Sequence, residues 1–357
     1  MARAKNARRS REETSQSTTF SYTPKMLTGM ETGVWFGLGE CFYLLTVISM
    51  STDANYQRKS CVWNATVAIY DPYARKVTRV IEIPGTSHTG SQHIGGVAWD
   101  PHTGLVTILT DSARPWETGG ADVSGEHLII KYDAVRQKTL WTLNISDVTH
   151  EQYGGFQDVE TDRRGNTYVV GSWPGTVLRA DRHGEAVRPW YLPNPLPPTT
   201  KIGFGGLAAV PGTEMLLSMD GDGKLYRFDM RDEKGKPVLV PAVPAVRHAF
   251  NDAVYLPPKY DGRVLLNAVG PEGVQVLRSR DKSWGTAENL GTIPHRTGPE
   301  YNGSVVTATV QIGEPGSIYT VLGFWDLPWV PGTVAGNRTR FPMPDITKEI
   351  EALLKAK

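Results

Sequence analysis

The sequence has little cysteine and no excess of charge. Its 357 residues include only two cysteines, Cys41 and Cys61, and no Cys-x-x-Cys pair, which excludes a disulfide framework and a cysteine zinc site. The 38 lysine and arginine residues balance 37 aspartate and glutamate residues, for a net charge of +1. A chain so close to neutral lacks the positive surface on which nucleic-acid binding depends, so we expect no nucleic-acid partner.

Long apolar segments are also missing. The most apolar early run, residues 41–49, has about half the length that a membrane-spanning helix needs, so it predicts a buried strand and no membrane span. The first twenty residues are polar and basic without an apolar core, which is not the pattern of a secretory signal. We therefore expect a disordered basic tail over residues 1–24 and a cytoplasmic protein.

The usual motifs of covalent catalysis and nucleotide binding are absent as well. The sequence has no Gly-x-Ser-x-Gly elbow, no Gly-x-x-x-x-Gly-Lys loop and no Gly-x-Gly-x-x-Gly on a strand–helix unit. Asp220-Gly-Asp222-Gly looks like the start of a calcium loop but lacks the remaining ligands, so it predicts a tight turn. We expect no cofactor and no metal, which leaves acid–base and electrostatic chemistry in a pocket, or binding alone.

Turns and aromatic side chains are abundant, with 37 Gly, 25 Pro, 10 Trp, 14 Tyr and 9 Phe. Turn signals recur roughly every fifty residues, each an aspartate that ends one strand with another strand after it. These aspartates are Asp71, Asp133, Asp181, Asp229 and Asp281. A strand start built from small residues precedes each of them, and a sixth such start follows the last. The markers of the six starts are Gly33, Gly96, Gly155, Gly206, Asp252 and Gly303.

Each repeat divides into four short strands. In the second repeat these are Gly95–Asp100, Leu105–Asp111, His127–Asp133 and Lys138–Asn144. Six such units predict an all-β fold, a six-bladed β-propeller over residues 25–344, followed by a short C-terminal helix over 345–357. No stretch between the strands has a sustained 3.6-residue apolar period, which excludes a stack of βαβ units. Glycine suits the strand starts because six innermost strands converge on one axis, where side chains would crowd the neighbouring strand.

A propeller brings the starts of its innermost strands together around one mouth of the central channel. Polar and aromatic residues stand just before the markers, and a concave site of this composition is the usual small-molecule site. The candidates for catalysis are His93, Asn251, Asp252, Glu300 and Tyr301. The candidates for substrate binding are Glu31, Gln92, Tyr153, Trp173, Phe204, Phe324 and Trp325.

Each candidate also has a structural interpretation. The carboxylates Glu31, Asp252 and Glu300 could satisfy backbone donors at the mouth, since buried polar groups are hydrogen-bonded. His93 could be a structural imidazole. The tryptophans could belong to the core between blades instead of a pocket wall.

Several segments resemble a fungal family of six-bladed propellers. They include SQHIGGVAWDPHTGLVTILTD, GGFQDVETDRRGNTYVVGSWPGTVLRAD, GGLAAVPGTEMLLSMDGDGKLYRFD and NGSVVTATVQIGEPGSIYTVLGFWD. The family includes a secreted yeast allergen, the propeller protein of trichothecene toxin clusters and the hetero-Diels–Alderases of tropolonic sesquiterpene pathways. The resemblance extends from about Gly29 to Asp326 and follows the pattern of blades more than any single motif.

The resemblance implies a secondary-metabolite protein that acts on a small, apolar, terpenoid-type substrate without a cofactor. The biosynthetic members imply loss of water coupled to C–O ring closure, the chemistry of a cyclase or hetero-Diels–Alderase. On that basis His93 or Glu300 would act as acid, Asn251 and Tyr301 as oxyanion donors, and the tryptophans as apolar walls.

Two other functions stay open at this point. A metal-dependent lactonase of propeller fold would use Glu31, Asn251 and Asp252 as oxygen ligands for calcium or zinc. A non-catalytic protein would store or deliver a lipid or terpenoid. Within the enzyme hypothesis, a toxin skeleton and a tropolone are the two substrate classes that the resemblance suggests.

Overall fold

The computed structural model describes residues 17–21, 44–45, 65–71, 76–89, 91–100, 103–248, 250–312, 316–324 and 340–356. Strands dominate this part of the chain. In chain order they are β1 (Ser17–Ser21), β2 (Leu44–Leu45), β3 (Thr66–Asp71), β4 (Lys76–Glu82), β5 (Gln92–Asp100), β6 (Leu105–Ser112), β7 (Leu128–Asp133), β8 (Lys138–Asn144), β9 (Gly154–Thr161), β10 (Thr167–Trp173), β11 (Gly175–Ala180), β12 (Val187–Tyr191), β13 (Leu207–Ala209), β14 (Met215–Met219), β15 (Leu225–Asp229), β16 (Val238–Val240), β17 (Ala242–Val243), β18 (Val254–Tyr255), β19 (Val264–Ala268), β20 (Gly273–Arg278), β21 (Ala287–Pro294), β22 (Ser304–Ile312), β23 (Ser317–Phe324) and β24 (Arg340–Pro344). The helices of the same ranges are α1 (Arg114–Thr118), α2 (Ser146–Thr149) and α3 (Thr347–Lys355), with 3₁₀ turns at Pro258–Tyr260 and Pro299–Tyr301.

The strands form six blades in chain order. Blade 1 contains β2–β4, blade 2 contains β5–β8, blade 3 contains β9–β12 and blade 4 contains β13–β16. Blade 5 contains β18–β21, with β17 added in parallel to the edge of β21, and blade 6 begins with β22 and β23. All pairings inside these blades are antiparallel. The architecture is the predicted all-β six-bladed propeller, and the four strands of blade 2 lie where the sequence places them.

Apolar side chains fill the spaces between consecutive blades. One cluster, for example, joins Leu109 and Ile129 of blade 2 to Val169 and Leu178 of blade 3, all fully buried. The second strand of a blade is covered on both faces, so β6, β10 and β19 are buried along almost their whole length. The outermost strand β8 is mostly exposed. The core is therefore a series of layers between blades, which leaves the axis free for polar groups.

Glycines allow the innermost strands to approach one another. A Cβ on Gly95 would lie 2.2 Å from the carbonyl oxygen of Phe156, and a Cβ on Gly205 would lie 2.5 Å from that of Asn251. Both distances are shorter than any real Cβ contact, and in both cases the obstacle is the backbone of the next innermost strand or of the segment leading into it. The predicted reason for glycine at these strand starts is confirmed.

In blades 2 to 5 the repeated aspartates close the turn between the third and fourth strands. Oδ1 of Asp133, Asp229 and Asp281 accepts a hydrogen bond from the backbone N–H two residues later, at 3.0, 2.9 and 2.8 Å. Asp181 does the same at 2.8 Å. An aspartate side chain that bonds its own backbone two residues on stabilises a turn, which explains why this residue type repeats.

The sixth blade is closed by both ends of the chain. Strand β24 lies against β23, with an antiparallel bridge between Tyr319 and Asp345, and β1 pairs with β24 from Ser17↔Pro344 to Ser21↔Arg340. Ser17–Ser21 lies inside the range predicted as a disordered tail, so this stretch belongs to the closing blade instead. Composition alone misses it because the strand is defined by its partner at the other end of the chain.

The C-terminal helix α3 lies within its predicted range and packs on blade 6. Ile346 and Ile350 are 2% and 0% exposed and join the apolar cluster of blades 5 and 6, with Leu353 and Leu354 against its edge. Asp345 accepts from the backbone N–H of Thr347 at 2.8 Å, which satisfies a donor at the start of the helix. The helix therefore covers the end of the closing blade.

Removal of β1 is expected to destabilise the protein. A chain without residues 1–21 loses the ladder on β24, and at about 1 kcal/mol per hydrogen bond the loss in unfolding free energy is roughly 3 kcal/mol. A chain without residues 1–16 keeps β1 and serves as the control. Urea unfolding followed by tryptophan fluorescence measures the difference, and equal midpoints for the two truncations would contradict the role of β1.

Candidate functional site

The candidate site lies on the face where each innermost strand begins. This face is formed by the loops that lead from the fourth strand of one blade to the first strand of the next, and by the loops between second and third strands. Helix α1 lies in the β6–β7 loop of this face and carries Trp116. Blades 2 and 5 stand on opposite sides of the axis, so residues from them face each other across the mouth.

A buried imidazole–carboxylate cluster occupies the blade 2 side. The carboxylate of Asp111 is fully buried, and its Oδ1 lies 2.5 Å from Nδ1 of His127, which also accepts the backbone N–H of Ser112 at 3.2 Å. Its Oδ2 accepts from Nε1 of Trp116 at 2.7 Å and lies 3.7 Å from Nε2 of His93. Asp111 therefore lies among three side chains and holds one of them, Trp116, by a hydrogen bond.

His93 is the member of this cluster that faces the mouth. Its side chain is 12% exposed, and its buried Nδ1 has no hydrogen-bond partner among the residues that the structure describes. Burial lowers the pKa of His93, and the charge of Asp111 only partly opposes this. His93 is thus neutral near pH 7. With Nε2 facing the carboxylate of Asp111, the bare nitrogen is Nδ1, which can accept a proton.

Two tryptophans form an apolar wall beside His93. Trp116 contacts His93 edge to face at 6.1 Å between ring centroids, and it contacts Trp173 of blade 3 in the same way at 6.1 Å. A Cβ on Gly155 would come within 2.1 Å of the Trp173 indole, so only glycine leaves room for this ring. Within the described part of the chain the buried Nε1 of Trp173 has no partner, so it is available to donate to a ligand oxygen.

The channel wall below the mouth carries carboxyl groups with raised pKa values. Burial raises the pKa of Asp252 to about 7 and that of Asp158 to about 8. Asp158 accepts backbone N–H bonds from Leu207 at 2.8 Å and Val159 at 2.9 Å, which oppose the rise, while the charges of Glu160 and Asp252 add to it. Two half-buried carboxyls near one axis therefore hold protons close to neutral pH.

Asn251 is engaged in a hydrogen-bond chain across blade 5. Its Oδ1 accepts from Nδ2 of Asn267 at 2.9 Å, and Nδ2 of Asn267 also donates to Gln275 at 3.0 Å. The Nδ2 group of Asn251 donates to the carbonyl of His248 at 3.3 Å. This geometry holds the segment before β18 on the blade, and it favours the structural interpretation of Asn251 over an oxyanion donor.

Glu300 and Tyr301 stand in the 3₁₀ turn before β22. Glu300, one of the two proposed acids, is exposed. Tyr301 packs against the apolar cluster of blades 5 and 6 and lies 6.3 Å from the ring of His295. The turn places both residues away from the His93 cluster, on the blade 6 side.

The remaining predicted substrate-binding residues are dispersed. Phe204 and Phe324 are 4% and 0% exposed and belong to cores between blades, so they do not line the mouth. Tyr153 is 2% exposed and donates its hydroxyl to the carbonyl of Val148 at 3.1 Å. Their aromatic character suggested a pocket wall, but each fills space behind the site. Gln92 donates to Glu126 at 2.8 Å beside the cluster. Glu31 and Trp325 lie outside the described residues.

Sequence reasoning missed His127 and Asp158. His127 precedes β7 with no motif around it, and its role depends on a contact with Asp111 from the preceding strand of the blade. Asp158 follows the Gly154–Gly155 pair on β9, and this position on an innermost strand was the available signal. The Asp220–Asp222 segment is the predicted tight turn, closed by the Gly223 N–H bonding the Asp220 carbonyl at 2.8 Å.

Within the described ranges, no three His, Cys, Asp or Glu side chains are grouped to hold a metal ion. None of the helices there combines the length and apolar character needed to cross a membrane.

Fold and site together define a six-bladed β-propeller with acid and imidazole groups around its channel mouth. No family model matches the chain. Trichothecene biosynthesis protein 14 of Trichoderma arundinaceum is 35% identical over 321 residues, covering 84% of this chain and 85% of that protein. Core trichothecene cluster protein 14 of Fusarium sporotrichioides is 29% identical, covering 84% and 82%. The chain belongs to the trichothecene cluster protein 14 family, one of the relatives that its sequence pattern suggests.

A solved structure supports the fold. The major allergen Mala s 1 of Malassezia sympodialis superimposes with a TM-score of 0.66 over 80% of this chain and 87% of that one, at 18% sequence identity. At this level of identity the likeness concerns the propeller architecture alone.

Proposed function

We propose that this protein is a cofactor-independent cyclase of fungal sesquiterpenoid metabolism, which couples loss of water to C–O ring closure. The observation that carries the proposal is a set of proton-transfer groups around one channel: the carboxyls of Asp252 and Asp158, with raised pKa values, and the neutral imidazole of His93. A reaction of this kind needs an acid for the leaving hydroxyl and an acceptor for the proton of the attacking hydroxyl. The names of the two relatives support a trichothecene-type skeleton as substrate over a tropolone.

The roles follow from the protonation states. Asp252 gives its proton to a substrate hydroxyl, which leaves as water and breaks a C–O bond. A second oxygen of the substrate attacks the resulting electron-poor carbon, and Nδ1 of His93 accepts the proton from that oxygen. The new C–O bond closes the ring, and exchange with solvent returns the protons. Asp252 replaces Glu300 as the preferred acid because Asp252 is half-buried and protonated near neutral pH, whereas Glu300 is exposed.

The apolar wall supports binding of a neutral, hydrophobic substrate. Trp116 and Trp173 offer ring faces and edges to a hydrocarbon skeleton, and Nε1 of Trp173 can donate to one of its oxygens. A dry wall also keeps bulk water from capturing the cation-like carbon before the ring closes. The same wall supports a second candidate, a non-catalytic carrier for an apolar terpenoid.

Turnover by the purified protein tests the proposal. An excess of a hydroxylated sesquiterpenoid precursor is incubated with wild type, and ring closure is followed by liquid chromatography and mass spectrometry. We expect acceleration over the spontaneous reaction and a loss of about 100-fold in His93→Gln, because glutamine cannot accept the proton. The control is His183→Gln, an exposed imidazole at the β11–β12 turn on the opposite face. Saturable binding without turnover would instead identify the carrier.

A further inference from the structure

A second constellation of reactive groups lies on blade 5. Thr292 of β21 donates its hydroxyl to Nε2 of His248 at 3.3 Å, and Nδ1 of His248 faces Oε2 of Glu272 at 2.7 Å. A carboxylate accepts only, so Nδ1 carries the proton and Nε2 is the acceptor for the threonine hydroxyl. A hydroxyl, an imidazole and a carboxylate in this order form the arrangement that activates a nucleophile.

The surroundings of this triad suit a small ester. Gln275 is the cross-strand partner of Thr292, so an amide donor stands on the same face of the sheet beside the hydroxyl. The carbonyl of this amide is held by Asn267 at 3.0 Å, which fixes the group. Two exposed apolar residues, Val246 at 41% and Phe250 at 37%, flank His248 on its loop. They offer a surface for a hydrophobic acyl or alcohol part.

We infer that Thr292, His248 and Glu272 form an esterase site, separate from the channel mouth, for small esters with an apolar part. The Thr292 oxygen attacks the ester carbonyl carbon while Nε2 of His248 takes the hydroxyl proton. The bond to the alcohol oxygen breaks, and the alcohol leaves with that proton. Water then attacks the acyl-threonine with His248 as base, which releases the acid and restores the hydroxyl.

Hydrolysis of 4-nitrophenyl butyrate by the full-length protein tests the site. We expect Thr292→Val to lower the rate about 100-fold and Glu272→Gln about 10-fold, with thermal unfolding curves equal to wild type. The matched control is Thr142→Val, an exposed threonine of β8, which keeps the wild-type rate. Mass spectrometry of a quenched sample is expected to place a butyryl group on the peptide that contains Thr292.

If Thr292→Val hydrolyses the ester at the wild-type rate, or if the butyryl group is found only on other peptides, the triad is a structural hydrogen-bond chain. Glu272→Gln supplies an independent readout, because its side chain is half exposed and glutamine has nearly the same shape as glutamate. The result does not depend on the channel mouth or on its proposed cyclase activity.

Discussion

Gly95→Ala is expected to cost about 3 kcal/mol of unfolding free energy. The new Cβ would stand 2.2 Å from the carbonyl oxygen of Phe156 and 3.2 Å from the Cα of Gln157, and backbone cannot move aside as a side chain can. The strand β5 must then shift away from β9, which opens the layer of apolar side chains between blades 2 and 3. Chemical denaturation followed by tryptophan fluorescence measures the change.

The matched control for this substitution is Gly285→Ala. Gly285 is exposed, and the nearest atom to its added Cβ is Oγ of Ser283 at 3.7 Å, an ordinary contact. We expect a change within about 0.5 kcal/mol there, because alanine also restricts the unfolded chain. If the two variants unfold at the same denaturant concentration, the close approach of innermost strands is not what requires glycine at position 95.

The fold could be predicted because its causes are local and repeated. Asp133 and Asp281 each accept a hydrogen bond from the backbone of the turn that follows them. Gly95 is required because the neighbouring innermost strand lies too close for a side chain. The aspartate turn recurs five times and the strand start six times, so the sequence alone indicates six units. Blade 6 lacks the aspartate turn because β24 and β1 complete it, and the partner of β1 lies at the far end of the chain.

The site could be predicted only in outline. Its location follows from topology, which is why His93 and Trp173 are candidates by their position in the blades. Roles depend on burial and on partners from other strands, which the sequence does not display. The position of Asp252 at a strand start makes it a candidate for catalysis, but its raised pKa comes from burial in the assembled channel. Phe204 shows the converse, since an aromatic residue beside the mouth can point into the core.

Asp252→Asn is expected to remove a pH dependence of stability and to stop turnover. Burial raises the pKa of Asp252 from its ordinary 3.8 to about 7, so the folded state binds a proton between these values that the unfolded chain has released. The stability from this proton is fully present below about pH 4 and is lost as pH rises through 7. Allowing for partial exposure, wild type should lose about 2 kcal/mol between pH 5 and 8 that the variant keeps.

Asp281→Asn is the control for the stability measurement. Asp281 is exposed, and the hydroxyl of Ser283 holds its pKa below the ordinary value, so its small contribution is lost toward acid pH instead. Asp252→Asn therefore changes the pH profile of stability toward neutral pH, and Asp281→Asn changes it toward acid pH. In the cyclase assay, Asp252→Asn is expected to lose about 1,000-fold in rate, because an amide cannot supply the proton for the leaving hydroxyl. A variant that flattens the stability profile yet keeps full turnover would confirm the buried acid and reject its catalytic role, leaving Asp158 as the proton donor to test.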